Sequence, residues 1–276
     1  MKKLLILGAG TAGTMMLNKL YNELERDEWE ITIVDQFKTH YYQPGFLFIP
    51  FGIYDKKGVT KPKHDFFPPG ANVIYSSIDK IVGEENKVYL EGGKVLNYDF
   101  LIIATGTQTR PSETEGLKDK LWYKDIFDFY TIEGAVALHK KFKDWEGGKL
   151  VMCIPELPYK CPVAPIEFVF LADAYFTERG MRDKVDITYV TLMSGVFTKP
   201  VATKVLGDIM EEKNIHVVPD FYLSEIDNDN KKLISFDEQE VDFDLLTIVP
   251  LNMGSEMIAR SGLGDDMNYV KTDKYT

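Results

Sequence analysis

Two stretches of this sequence hold residues whose types and spacing could do chemistry. The first is GAGTAG, in which Gly8, Gly10 and Gly13 stand at the G-x-G-x-x-G spacing, with Asp35 following at the end of a second apolar run. Glycines so placed let a chain turn tightly out of a strand, let backbone approach a pyrophosphate, and let helix and strand pack closely. The phosphates then meet unpaired N–H groups and the positive dipole end of the helix, with Ala9, Thr11 and Ala12 in the same turn. Asp35 can accept a hydrogen bond from a ribose 2′-OH. The second stretch is KCPVAPIE, Lys160 to Glu167. Cys161 stands just ahead of a helical segment, beside Lys160, where negative charge on sulfur is stabilised, in a loop stiffened by prolines. That setting suits a nucleophilic or redox-active thiol, against the alternative of a small buried apolar residue. Glu167 either complements the helix dipole or carries a proton beside the thiol. Cys153 lies inside an apolar run and is expected in the core.

The elements that must position these residues follow from periodicity. KKLLIL, Thr11 to Glu25 and EITIVD predict strand, helix and strand around the glycine turn, a dinucleotide-binding βαβ unit. The aromatic-rich segment Gln36 to Gly52 has no clean period: it either plugs a core or forms a wall against a flat aromatic ring. From Asn72 to Gly106 short strands are expected, with turns at Glu84–Asn86 and Gly92–Gly93, closing on the buried run Phe100 to Ala104 and on Thr105–Gly106. The polar stretch around Pro111 is a candidate boundary.

Helix at 131–142, strand at 147–155, helix at 165–180 and strand at 185–191 make a second βαβ unit. Helix at 201–214 and strands at 215–220 and 241–250 complete it. The sequence thus predicts an α/β chain of two tandem Rossmann-like domains. Residues 1–112 form the first part of a discontinuous dinucleotide domain, 113–252 a second domain, and 253–276 the start of a return to the first. In the second unit the turn IPELPYKCPVAP has four prolines and no glycine, and its next strand ends in Thr191 rather than an acid. Such a turn lacks the free N–H groups that cradle a pyrophosphate, so no nicotinamide is expected there.

Composition excludes some functions. The chain of 276 residues is 45% hydrophobic and 27% charged, ordinary for a globular protein. Its formal charge of −11 argues against nucleic acid as a partner. No apolar run approaches the roughly 20 residues a membrane helix needs, and no signal peptide precedes the first strand, so a cytoplasmic location is the default expectation. Two cysteines make no disulfide framework.

Taken together, GAGTAG, Asp35, YYQPG (Tyr41 to Gly45), YDFLIIATG (Tyr98 to Gly106) and above all KCPVAPIE resemble the sulfide:quinone oxidoreductases and their relatives, the flavoprotein subunits of flavocytochrome c sulfide dehydrogenase. The resemblance spans nearly the whole chain. It implies a glutathione-reductase-type pair of domains and FAD as cofactor. Gly8, Ala9, Gly10, Thr11, Ala12, Gly13 and Asp35 would contact its pyrophosphate and ribose, Ala104, Thr105 and Gly106 would form a second approach, and Gln43 and Pro44 would lie near the isoalloxazine. By the same resemblance Cys161 is the thiol that carries sulfur and Glu167 its proton partner. Sulfide would be oxidised to sulfur or polysulfide, with electrons passing through FAD to a quinone or a cytochrome.

The chain departs from that pattern in two places. Leu121 to Glu133 lacks a further cysteine that many members carry. A partner cysteine and an A-x-G-D stretch, usually far downstream, are missing too, because GLGDD (Gly262 to Asp266) has no preceding apolar strand. The expectation is an N-terminal part of a longer protein whose remainder supplies the quinone site and a peripheral membrane anchor. A homo-oligomer is compatible with the chain. A type II NADH:quinone dehydrogenase-like enzyme and a non-catalytic flavin-binding or interaction protein stand as alternatives.

Overall fold

The strand β1 (Lys2–Leu7) is buried on both faces from Leu4 onward, as a strand inside a parallel sheet must be. The computed structural model, which describes residues 1–275, shows why. Leu4 and Ile6 pack with Leu17 of helix α1 (Thr11–Glu23) and with Ile33 of β2 (Trp29–Asp35). Leu5 and Leu7 point to the opposite face and pack with Val34, Ile81, Val88 and Leu90. The period of two along the strand therefore serves two different layers. β3 (Asn72–Tyr75) joins β2, and the order across this parallel sheet is β3-β2-β1-β7, where β7 is Phe100–Ile103. Between β3 and β7 the chain forms an antiparallel sheet, β4 (Ile78–Val82), β5 (Lys87–Leu90) and β6 (Val95–Asn97). Asn86 at φ +51° makes its first turn, and Gly92 and Gly93 make the second. A short helix, Glu256–Arg260, places Met257 and Ile258 against the same core, and Ser261 Oγ accepts from Ile81 N at 2.9 Å.

The chain divides into two units. Residues 1–41, 60–108 and those from Met253 on form the first, and residues 42–59 and 109–252 form the second. The second unit repeats the plan of the first. Its parallel sheet has the order β8-β15-β9-β10-β11, with β8 (Ile126–Phe127), β9 (Gly148–Ile154), β10 (Val185–Thr191), β11 (Ile215–Val218) and β15 (Leu245–Ile248). Helices α2 (Ile132–Asp144), α3 (Ala164–Glu178) and α4 (Pro200–Glu212) lie between these strands in the chain. An antiparallel sheet, β12 (Leu223–Asp227), β13 (Lys232–Ser235) and β14 (Glu240–Asp242), covers the face carrying Val151, Cys153, Val190 and Leu246. The closing strand is shorter than the run from Val241 to Pro250, because the residues before Leu245 pair within that hairpin instead.

Residues 42–59 group with the second unit although they interrupt the first in sequence. The cause is aromatic packing. The ring of Phe51 lies 5.3 Å from that of Phe168 and 5.8 Å from those of Phe142 and Tyr175. His139 Nδ1 adds a contact of 3.2 Å to the Pro50 carbonyl. Removing the Phe51 ring would cost about 3 kcal/mol or more, a sum large enough to hold a short segment in place. Among the described residues no helix is long and apolar enough to cross a membrane.

Candidate functional site

In the first unit the glycine turn behaves as its spacing demands, with separate tasks for each glycine. A Cβ on Gly8 would stand 2.3 Å from the Ala104 carbonyl oxygen, and one on Gly13 only 1.8 Å from the Gly8 carbonyl oxygen. These two glycines let the β1 turn, the first turn of α1 and the Ala104–Gly106 stretch touch. Gly10 is unlike them, since a Cβ there would meet nothing within 4 Å. Packing does not require a glycine at this position, and the missing Cβ leaves room for a ligand to approach the backbone. No side chain caps α1 at Gly10 and no acid stands in its first turn, so the N–H groups at Gly10, Thr11 and Ala12 face outward with no built-in anion. Thr105 and Gly106 follow Ala104, and space lies open before Gly106 as well. These residues fit a dinucleotide pyrophosphate.

Asp35, at the end of β2, is more heavily engaged than the sequence alone indicates. Its Oδ2 accepts from Ala9 N at 2.6 Å and pairs with Lys63 Nζ at 2.6 Å, while Oδ1 accepts from Phe37 N at 2.7 Å. A carboxylate has about four lone-pair sites, so one remains for a ribose hydroxyl. Lys63 escapes sequence reasoning because a lysine in a polar run looks solvated, yet its side chain is only 7% exposed here.

The second group lies in the second unit, at the carboxyl end of β9. Cys161 is exposed, whereas Cys153 is wholly buried and burial pushes its thiol up. Cys161 sits at φ +57°, in the left-handed region, a strained conformation that a non-glycine residue keeps only when its surroundings impose it. Those surroundings are two phenols and a helix start. Tyr130 OH donates to the Cys161 carbonyl at 3.4 Å, Tyr159 OH donates to the Pro162 carbonyl at 3.2 Å, and Ala164 N donates to the Cys161 carbonyl at 3.2 Å. Burial, and then the charge of Cys161, raise the pKa of both phenols, so each keeps the proton it donates.

Tyr130 is in turn fixed by Asp128, which is 0% exposed. Asp128 Oδ1 accepts from Tyr130 N at 2.8 Å and Thr131 N at 2.6 Å. Its Oδ2 accepts from Thr131 Oγ1 and Tyr123 OH, each at 3.0 Å. Thr131 Oγ1 caps α2 by accepting from Gly134 N at 3.0 Å. Burial raises the pKa of Asp128 against the pull of these donors. D-F-Y-T, ahead of a helical run, carried the signal of a cap but gave no hint that it would reach Cys161.

Gln43 and Pro44 begin a 3-10 stretch, Gln43–Phe48, in this same unit. Gln43 Oε1 accepts from Lys160 Nζ, which brings a residue expected at a cofactor ring to the cysteine loop. Glu167 is exposed in the first turn of α3 and, among the described residues, its carboxylate has no hydrogen-bond or ion-pair partner. Beyond the carboxyl ends of β9 and β10, the side of a parallel α/β sheet on which ligands bind, there is a cleft of about 880 Å³. It is lined by Glu156, Asp220 and Asp237 as well as by Leu157, Tyr222 and Phe236. Its charge repels a pyrophosphate. Among the described residues no cluster of three or more His, Cys, Asp or Glu side chains could hold a metal ion.

The chain is similar to known proteins in sequence and in fold. Residues 135–250 match the family described as sulfide dehydrogenase (flavocytochrome c) flavoprotein chain, central. The chain is similar to the mitochondrial sulfide:quinone oxidoreductase of Dictyostelium discoideum, at 28% identity over 279 residues, covering 99% of this chain and 62% of that protein. It is also similar to the type II NADH:quinone oxidoreductase of Staphylococcus haemolyticus, at 29% identity, over 52% of this chain and 34% of that one. In fold it matches the crystal structure of the sulfide:quinone oxidoreductase from Aquifex aeolicus with a TM-score of 0.84 and 21% identity, covering 98% of this chain and 64% of that chain. The chain therefore spans a little under two thirds of the length of these sulfide:quinone oxidoreductases.

Proposed function

We propose that the chain belongs with the sulfide:quinone oxidoreductases and flavocytochrome c sulfide dehydrogenase flavoproteins it resembles, and that it serves an FAD-dependent oxidation of sulfide to sulfur or polysulfide, with quinone as the electron acceptor. The observation that carries the reading is Cys161, exposed and held in a left-handed turn where a nicotinamide-binding chain would place glycines.

FAD, when bound, supplies a two-electron acceptor for sulfur oxidation. Gly10, Thr11 and Ala12 would hold its pyrophosphate through backbone N–H groups, with Gly8 and Gly13 shaping the turn and Asp35 offering its remaining lone pair to the ribose. Ala104, Thr105 and Gly106 form the second approach. Cys161 carries the sulfur being oxidised. Tyr130 and Tyr159 keep its loop in place, and Glu167, exposed one turn into α3, takes up the proton that sulfide loses. A quinone partitions into lipid, so the reading entails contact with a membrane surface.

The test is Cys161→Ser in the FAD-loaded protein. Sulfide-dependent bleaching of the flavin and reduction of a soluble quinone are expected to fall to background while FAD content stays unchanged. Turnover that survives the substitution would end the assignment. The likeness to a type II NADH:quinone oxidoreductase supports a second reading, in which NADH rather than sulfide bleaches the flavin. The proline-filled turn and the acidic cleft speak against it.

A further inference from the structure

Several lysines of this protein are neutralised by carboxylates. Lys63 pairs with Asp35, Lys141 and Lys231 with Asp125, Lys213 with Asp173, and Lys149 with Asp242, all at 2.6–2.9 Å. Lys160 is held differently. Its ammonium donates to the side-chain carbonyl of Gln43, which is uncharged and 117 positions away in sequence. Among the described residues no carboxylate lies within ion-pair reach of it. Partial loss of hydration around the ammonium lowers its pKa from the usual lysine value, and the charge of the adjacent Cys161 only partly offsets that fall.

A neutral amide orients a cation without cancelling its charge. The lysine is exposed beside an exposed cysteine, so an ion from solvent can reach both. The nearby phenols of Tyr130 and Tyr159 stay protonated and add no charge. A protein of net charge −11 repels anions at long range, and a small anionic substrate needs a local positive group where it reacts.

We propose that Lys160, tethered by Gln43, is the anion-receiving group of the Cys161 site, and that it draws hydrosulfide, a small monoanionic sulfur species, to the sulfur there. Gln43 acts through Lys160 and sets its direction. The assignment rests on the reading of Cys161 as the redox sulfur, and it names the charge of the substrate that this sulfur meets.

The test compares alkylation of Cys161 by iodoacetate, an anion, with alkylation by iodoacetamide, which is neutral and of similar size. Cys153 is buried and serves as an unreactive internal control. The ratio of the two rate constants cancels the intrinsic reactivity of the thiol and reads the local charge, without FAD or turnover. One unit charge at about 4 Å in water changes such a ratio about fivefold. K160R is expected to keep the wild-type ratio and K160Q to lower it about fivefold. Q43E, which sets a carboxylate against the lysine, is expected to match K160Q. In the FAD-loaded protein the KM for sulfide should rise about fivefold in K160Q with kcat unchanged, and K160R should restore it.

A ratio in K160Q within about 1.5-fold of wild type would overturn the proposal. C161S separates the two levels of inference. Turnover that survives in C161S ends the reading of the cysteine and this proposal with it. Loss of turnover in C161S, combined with an unchanged ratio in K160Q, ends this proposal alone.

Discussion

Gly10 and Gly13 belong to one motif, yet the structure predicts opposite outcomes when each is changed to alanine. At Gly13 the added Cβ would stand 1.8 Å from the Gly8 carbonyl oxygen and 2.9 Å from its carbonyl carbon, so backbone must move against backbone. Such overpacking costs about 1–3 kcal/mol or more, and the helix-propensity gain of about 1 kcal/mol offsets only part of it. At Gly10 nothing lies within 4 Å, and φ is −75°, which alanine adopts freely. The loss there is that of a moderate N-cap residue, about 1 kcal/mol or less.

The flavin reverses this order of severity. FAD at 100 times its Kd stabilises the protein by about 2.7 kcal/mol. For a chain of this size that raises the melting temperature by roughly 5–10 °C. The assay is thermal unfolding of flavin-free protein with and without added FAD. Gly10→Ala is expected to melt near wild type when flavin-free and to lose the FAD-dependent rise, because its methyl group fills the approach to the phosphates. Gly13→Ala should melt lower even without flavin. A Gly10→Ala protein that keeps the full FAD-dependent rise would refute the division of roles.

Asp128→Ala strips the acceptor from two backbone N–H groups and two hydroxyls in a fully buried place, a loss of about 3–5 kcal/mol. A matching fall in the urea midpoint checks it. Acid should unfold the second unit by a definite route. Burial opposes ionisation of Asp125 and Asp173, but the hydrogen bonds and charges of Lys141 and Lys231, and of Lys213 and Arg182, outweigh it and hold both carboxyls below the usual range. Their stabilisation is complete above the unfolded-state value near pH 4 and is lost as pH falls through the lower folded values. Stability against urea is therefore expected to decline from about pH 4 downward. Asp125→Asn together with Asp173→Asn should flatten that decline.

The sequence displays the local parts of this molecule and hides the long-range ones. Glycine spacing, strand period and turn residues made both βαβ units legible, because each rule acts within a few positions of its cause. The proline-rich turn at Cys161 was legible for the same reason. Asp35 was visible as a strand-ending acid, but Lys63, which neutralises it, follows only from packing 28 residues away. Gln43 and Lys160 meet across 117 positions, and Tyr130 meets Cys161 across 31. No periodicity records such pairings. The aromatic run at Gln36 to Gly52 left two readings open because its burial depends on rings of α2 and α3, far downstream. The structure draws residues 42–59 into that packing.

The discontinuity of the first unit has a consequence for biosynthesis. Its parallel sheet can assemble once residue 108 has left the ribosome, but Met257, Ile258 and Ser261, which cover and bond the antiparallel sheet, emerge only after the whole second unit has been translated. At 5–20 residues per second that interval is roughly 10–30 s. During it the apolar surface that Met257 and Ile258 later cover stays open to solvent, and a chaperone that shields nascent hydrophobic surface has its natural window there.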